Sequence, residues 1–318
     1  MDLAERILAG DRRAIAQAIS MVEDGADGLA ELSSELFAHT GRAYTVGVTG
    51  SPGVGKSTLA GALVAHARRL DLSVAVLAID PTSPFTGGAL LGDRLRMQEH
   101  ATDPGVFIRS MATRGHLGGM ALAAPEAIRI LDAAGSDLVI VETVGVGQAE
   151  VEVAAATDTT LVVVSPGWGD AVQVAKAGIL EVADVFVVNK ADREGAAAAV
   201  RDLEQMIRMG PPLDWTPPVV STSAATGAGV EELWHEIARH REHAEATGRL
   251  DERRRERLLR EVAALAGERV RGIVRRRLDT DRALVEGLVS RRTDPITAAE
   301  KLVAGVVPAE AAGERTGP

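Results

Sequence analysis

The chain of 318 residues contains no cysteine. That removes disulfides, thiolate metal sites and cysteine nucleophiles together, and gives no sign of a stapled secreted scaffold. It also lacks any apolar run approaching the roughly 20 residues that span a bilayer. Its first residues, "MDLAERILAGD", are acidic and amphipathic rather than a basic stretch leading into an apolar one. Positive charge is in deficit: 35 Lys and Arg stand against 45 Asp and Glu, for a net charge of −10. So acidic a chain is poorly suited to line a nucleic-acid groove or hold an anionic membrane surface. Small molecules or proteins are therefore the expected partners, with no nucleic acid and no membrane, and the cytoplasm is the expected location. At 46% hydrophobic, the chain can bury one sizeable core with smaller appendages.

From Leu3 to Ala38, leucines and isoleucines recur at helical spacing, broken by "EDGADG", so residues 1–42 read as an N-terminal helical segment. Beyond Tyr44 the pattern becomes seven short apolar runs: "YTVGVTG", "SVAVLAID", "GVFIRSM", "DLVIVET", "TTLVVVSP", "DVFVVNK" and "PPVVSTS". Helix-like stretches such as "KSTLAGALVAHARRL" lie between them. Runs apolar at successive positions fit strands covered on both faces, and their alternation with helices fits a largely parallel, helix-flanked α/β sheet of about seven strands over 43–247. After Gly248 the strand runs stop. Residues 249–278 carry eleven arginines against five acids, with Leu259, Val262, Ala266, Val270 and Ile273 at steps of three or four. This is either a long amphipathic helix with a solvated arginine side, or an arm (248–310) that buries its apolar stripe against a second subunit. The tail, 311–318, is expected to be disordered.

"GSPGVGKST" follows a strand run and opens a helical one, the setting a phosphate loop needs. In Gly50, Ser51, Pro52, Gly53, Val54, Gly55, Lys56, Ser57 and Thr58, the glycines let backbone N–H groups curl around a β-phosphate. Lys56 neutralises β/γ oxygens, and Ser57 ligates Mg²⁺. "NKAD" closes the sixth strand run. A carboxylate at Asp192 accepts from the ring N–H and the exocyclic amine of guanine, which adenine does not offer. Asn189 ties this loop to the phosphate loop, and the stem of Lys190 covers a base face. In "STSAATGAG", Ser223, Ala224 and Ala225 come near the guanine carbonyl oxygen.

"VETVGVGQ" stands where a GTPase places D-x-x-G, with glutamate as the acid. Glu142 is one methylene longer than aspartate and still reaches Mg²⁺, directly or through water, while the backbone N–H of Gly145 senses a γ-phosphate. Asp80, at a strand end, and Asp93, in a Gly-rich segment, are further candidates for the metal. Against these stand a plain strand-end turn for Asp80 and a solvated loop acid for Asp93. Lys176 is either a source of positive charge for hydrolysis across an interface or a surface lysine on a helix. Lys56, Glu142, Asp93 and Lys176 make up the candidate catalytic set. His235, His240 and His243 lie at spacings of five and three, which is poor for a metal, and read as a solvated helix face.

Together "GSPGVGKST", "DPTSPFTGGALLGDRLRM", "RSMATRGHLGG", "VETVGVGQAE", "SPGWGD", "NKAD" and "TSAATGAGV" resemble, in order, the MeaB/ArgK/MMAA family of P-loop GTPases, over about residues 1–300. The resemblance implies a homodimeric P-loop GTPase using Mg²⁺ with GTP and GDP. It also implies a chaperone of an adenosylcobalamin-dependent acyl-CoA mutase, usually methylmalonyl-CoA mutase, and it makes 249–300 the dimerisation arm. In "GDAVQVAKAGI", Ala177 departs from the family pattern, where a second lysine is expected. No D-x-H-x-x-G stretch occurs, so no cobalamin is expected to bind this chain directly and it is placed on the partner.

Overall fold

The computed structural model describes residues 1–81, 98–100, 102–113, 120–143, 153, 155–167, 182–211 and 213–305. Three short helices open the chain: α1 (Leu3–Leu8), α2 (Arg12–Asp24) and α3 (Leu29–Phe37). Asp2 and Asp11 cap the first two, each accepting backbone N–H bonds of the first turn, and α2 stops at Gly25 in the left-handed region.

Strands and helices then alternate: β1 (Tyr44–Thr49), α4 (Lys56–Arg69), β2 (Val74–Pro81), β3 (Val106–Thr113), α5 (Met120–Ala133), β4 (Leu138–Thr143), β5 (Thr159–Val164), β6 (Val185–Asn189), α6 (Ala196–Met209), β7 (Val219–Thr222) and α7 (Val230–Ala246). The seven apolar runs are the seven strands of one sheet, in the order β3-β2-β4-β1-β5-β6-β7. Every neighbouring pair is parallel.

β1, β4, β5 and β6 are buried at every position, because helices cover both faces. Alternation sends Val46, Ile140, Val163 and Val187 to one face, against Leu59 and Leu63 of α4 and Leu233 and Ile237 of α7. It sends Leu77, Val139 and Val141 to the other, against Ile15, Ile19 and Leu36 of the N-terminal helices and Ile130 of α5. On that second face, Val162 and Phe186 lie in a separate cluster with Leu203 of α6. Each fully buried aliphatic side chain contributes about 1.5–3 kcal/mol relative to exposure.

The long helix α8 (Arg249–Thr280), then α9 (Arg282–Val289) and α10 (Pro295–Ala304), complete the chain. The chain divides into two compact units, Met1–Leu258 and Leu259–Pro318. In the second, Ala298 and Leu302 are buried, while Leu259, Val262, Leu265, Val289 and Ile296 remain exposed. Among the described residues, no helix is long and apolar enough to cross a membrane.

Candidate nucleotide site

The carboxyl ends of β1, β4, β6 and β7 bring four sequence motifs together. After β1, Gly50 (φ 135°) and Gly55 (φ 98°) hold the phosphate loop in left-handed backbone, where a side chain would be strained. A Cβ on Gly50 would also lie 2.1 Å from the Val163 carbonyl oxygen, and one on Gly55 2.5 Å from Asn189 Nδ2. α4 begins at Lys56 with no side-chain cap, so the N–H groups of its first turn remain available to an anion in the loop. The Lys56 ammonium is buried and donates to its own loop, to Gly50 O at 2.6 Å and Ser51 O at 3.0 Å.

Ser57 Oγ donates to Glu142 Oε1 at 2.6 Å. The pairing of β1 with β4 sets Glu142 opposite Val48 at the root of the loop, and the carboxylate is 1% exposed. Beside it, Thr143 Oγ1 donates to Thr49 Oγ1 at 3.3 Å. On the other side of β4, Ala78 and Ile79 of β2 lie opposite Glu142 and Thr143. Asp80 therefore stands one step further along the same edge, although its side chain falls outside the described residues.

Asn189 joins the motifs. Its Nδ2 donates to Val54 O at 2.9 Å, while its Oδ1 accepts from Thr222 Oγ1 and from the backbone N–H of Ala224, both at 3.1 Å. The Ala224 N–H is thus engaged by Asn189 rather than pointing into open space, and Ala225 beyond it is exposed. Lys190, in left-handed backbone at φ 59°, donates through Nζ to Gly53 O at 2.6 Å. Ser223 Oγ donates to Asp192 Oδ1 at 2.7 Å. That bond holds the exposed Asp192 carboxyl below the ordinary carboxylate range, so it is an acceptor at neutral pH.

A phosphate loop, a carboxylate meeting its serine and a loop able to read guanine thus share one edge of a parallel sheet. The sequence model described as methylmalonyl Co-A mutase-associated GTPase MeaB matches residues 15–278. The chain belongs to the MeaB family of P-loop GTPases. A putative GTPase of Pyrococcus abyssi is 47% identical over 312 residues, covering 96% of each chain. The GTPase ArgK of Escherichia coli is 40% identical over 260 residues, covering 79% of this chain and 78% of its own. The methylmalonic aciduria type A homolog, mitochondrial, of Caenorhabditis elegans is 37% identical over 276 residues, covering 80% and 69%. A crystal structure of a LAO/AO transport system kinase superposes with a TM-score of 0.71 at 28% identity over 96% of both chains.

P-loop GTPases bind their nucleotide with Mg²⁺. The donor set in this MeaB-family chain suits that ion: the hydroxyl of Ser57 and the carboxylate of Glu142 are hard oxygen donors that already meet. Asp93, Gly145 and Lys176 lie outside the described residues, as does Ala177. Among the described residues, no group of three His, Cys, Asp or Glu side chains is placed to hold a metal.

The opposite edge of the sheet holds a set of charges that the sequence reading missed. Asp158 and Asp184 each immediately precede a strand and are buried. The Asp158 carboxylate accepts from Arg254 Nη2 at 2.7 Å, Arg257 Nη2 at 2.8 Å and the Thr45 N–H at 3.1 Å. Asp184 accepts from both terminal nitrogens of Arg253, at 2.8 and 3.0 Å, and from the Thr160 N–H at 2.8 Å. The arginine side of α8 is therefore not simply solvated at its start. His240 also departs from the solvated-face reading. It is 3% exposed, with Nδ1 2.8 Å from Thr159 Oγ1 and Nε2 3.2 Å from Asp184 Oδ1. The signal was present: Leu233, Ile237, His240 and Ala244 recur at steps of four, three and four, and all are buried. His235 alone of the three histidines is exposed.

Proposed function

We propose that this MeaB-family protein hydrolyses GTP to GDP and phosphate, and couples that cycle to the control of an adenosylcobalamin-dependent acyl-CoA mutase. Methylmalonyl-CoA mutase is the first candidate. The observation that carries the nucleotide half is the side chain of Asn189, which binds the phosphate loop and the loop of Ala224 at once. The family description, naming a methylmalonyl-CoA mutase-associated GTPase, supports the partner.

In this reading the first-turn N–H groups of α4 and the ammonium of Lys56 take the β- and γ-phosphate oxygens, so Lys56 exchanges its present carbonyl partners for phosphate. Asp192 accepts both guanine N–H donors beside Lys190. Mg²⁺, when bound, neutralises charge between the β- and γ-phosphates. Ser57 and Glu142 would hold it, with Asp80 and Asp93 as further ligands or orienters of its waters. A water adds in line to the γ-phosphorus as the bond to the β–γ bridging oxygen breaks, and GDP leaves with that oxygen. Gly145 reports the γ-phosphate, and Lys176 supplies positive charge. Residues 248–310 form the arm of a homodimer, and cobalamin sits on the mutase, with the GTPase gating its loading and protecting the loaded enzyme.

Two measurements test this. Asp192→Asn should shift preference from GTP toward xanthosine triphosphate by at least about a hundredfold, from two hydrogen bonds to a charged acceptor. An unchanged preference rejects the guanine reading. GTP turnover with a stoichiometric amount of the mutase from the same source should exceed turnover alone. If phosphate instead accumulates on a protein with little released free, the reading passes to a transport-linked kinase, which the name of the superposing crystal structure favours. A metal-insertion GTPase is a third reading. Stoichiometric Ni²⁺ or Zn²⁺ binding would support it, against the lack of any cysteine.

A further inference from the structure

The second compact unit has a recess of its own, of about 580 Å³. The last turn of α8 supplies Arg277 and Thr280 to its wall, the start of α9 supplies Arg282 and Leu284, and the end of α10 supplies Lys301 and Leu302. Its volume falls in the range of about 300–1,000 Å³ usual for small-molecule sites.

The charges around this recess are unbalanced. Asp281 is the single acid in the lining, and its carboxylate is engaged in capping α9, accepting the Leu284 N–H at 3.0 Å. Arg277 gives one terminal nitrogen to Gly305 O at 2.9 Å, which steadies its guanidinium. The side chains of Arg282 and Lys301 make no hydrogen bond or ion pair with another described residue. The surrounding stretch, residues 269–282, carries six arginines against two aspartates in a chain whose net charge is −10. Three cations against one engaged acid in the lining, beside the buried Leu302, fit an anionic ligand with an apolar part. Two guanidinium forks and an ammonium match the tetrahedral oxygens of phosphate, since arginine binds them bidentately and lysine as a point charge.

We propose that this recess binds an organic phosphate. Its phosphate oxygens take N–H groups from Arg277, Arg282 and Lys301, and its apolar portion lies on Leu284 and Leu302. The recess opens widely to solvent, so a small molecule reaches Arg282 and Lys301 directly, and its volume is that of a small-molecule site. Its lining shares no residue with the nucleotide loops, and the proposal does not rest on the mutase reading.

The test is calorimetric titration of the full chain with its nucleotide site saturated by GDP and Mg²⁺. Coenzyme A and further GDP serve as the two organic sources, with pyrophosphate as the bare anion. The expected result is one saturable equivalent of coenzyme A, or of GDP beyond the first, per chain, bound tighter than pyrophosphate. Whichever of the two binds identifies the source. Arg282→Ala and Lys301→Ala should each weaken it roughly tenfold or more, the loss of one charge-assisted hydrogen bond, with Lys301→Arg retaining most of the affinity and binding of the first GDP unchanged throughout. Both side chains are exposed, so helicity and melting should match the parent. Absence of any second equivalent overturns the proposal. So does binding that both alanine variants leave intact, or binding in which pyrophosphate equals the organic ligands.

Discussion

The carboxylate of Asp158 offers the sharpest test of how the first unit is held together. Its side chain is 0% exposed, and it meets Arg254 and Arg257, whose side chains are 28% and 16% exposed. Asp158→Asn keeps the shape and removes the charge. One oxygen becomes an amide N–H₂ facing guanidinium N–H groups, and two arginines are left around a neutral acceptor. Breaking a buried pair in this way costs about 3–5 kcal/mol, because the remaining charge stays desolvated without its partner. For a unit of this length, that lowers the melting temperature by roughly 6–15 °C. Thermal and urea unfolding, followed by circular dichroism at one fixed protein concentration, give the number.

The same network fixes a pH signature. Burial pushes the Asp184 carboxyl up, but the bonds from His240 and Arg253 outweigh it and hold the group at about 2. At Asp158 burial also raises the value, and Arg254 and Arg257 bring it below the ordinary 3.8. Folded values below unfolded ones mean stabilisation that is complete above 3.8 and lost as pH falls through the folded values. The stability gap between parent and Asp158→Asn should therefore narrow as pH drops below 3.8. A loss under about 1 kcal/mol at neutral pH, the scale of an exposed pair, would refute the buried-charge reasoning. GDP affinity should not change, because Asp158 lies at the amino end of β5 and the nucleotide loops follow the carboxyl ends of the strands.

Tyr44 is the single tyrosine of the chain, so tyrosinate absorbance reports it alone. Burial pushes its hydroxyl up to about 12, against the opposing bond with Thr159, so the titration midpoint should lie near 12. Stability should fall as pH rises from 10 toward 12, a loss absent in Tyr44→Phe; a midpoint near 10 would contradict the burial. Asn189→Ala removes the acceptor for Thr222 and Ala224 and the donor to Val54, and should cost about 1–3 kcal/mol per orphaned buried group. It should weaken GDP more than Thr222→Val does, in calorimetry of both variants. Gly50→Ala brings a Cβ to 2.1 Å from Val163 O at φ 135°, and should abolish GDP binding. Its backbone strain alone should cost about 1–3 kcal/mol, read by urea unfolding. Ser57→Ala should raise the Mg²⁺ concentration needed for half-maximal GTP turnover, while Ser57→Thr should leave it near that of the parent.

The sheet was legible because its strands are covered on both faces and so appear as uninterrupted apolar runs, "LVIVET" and "TTLVVV" among them. The nucleotide loops were legible for a different reason: their chemistry is local, with glycine, lysine and serine fixed by spacing within nine residues. The amino edge of the sheet follows neither rule. Asp158 and Asp184 meet arginines some 69 to 99 positions away, and no periodicity links them. Of the two readings open for α8, the solvated arginine side fails at Arg253, Arg254 and Arg257, because charge alone does not tell a solvated side chain from one paired with a buried acid. His240 was misread through its neighbours on a polar helix, although its step from Ile237 placed it on the buried stripe. The two edges then divide the work. At β6, only five residues long, Asp184 just before the strand takes Arg253 and His240, while Asn189 at its end takes Val54, Thr222 and Ala224. The segment that leads into the Asp192 loop is pinned at both ends by buried polar groups. Under the proposed reading of Asp192, a fixed loop needs no reordering to accept guanine, so less of the binding free energy is lost to conformational entropy.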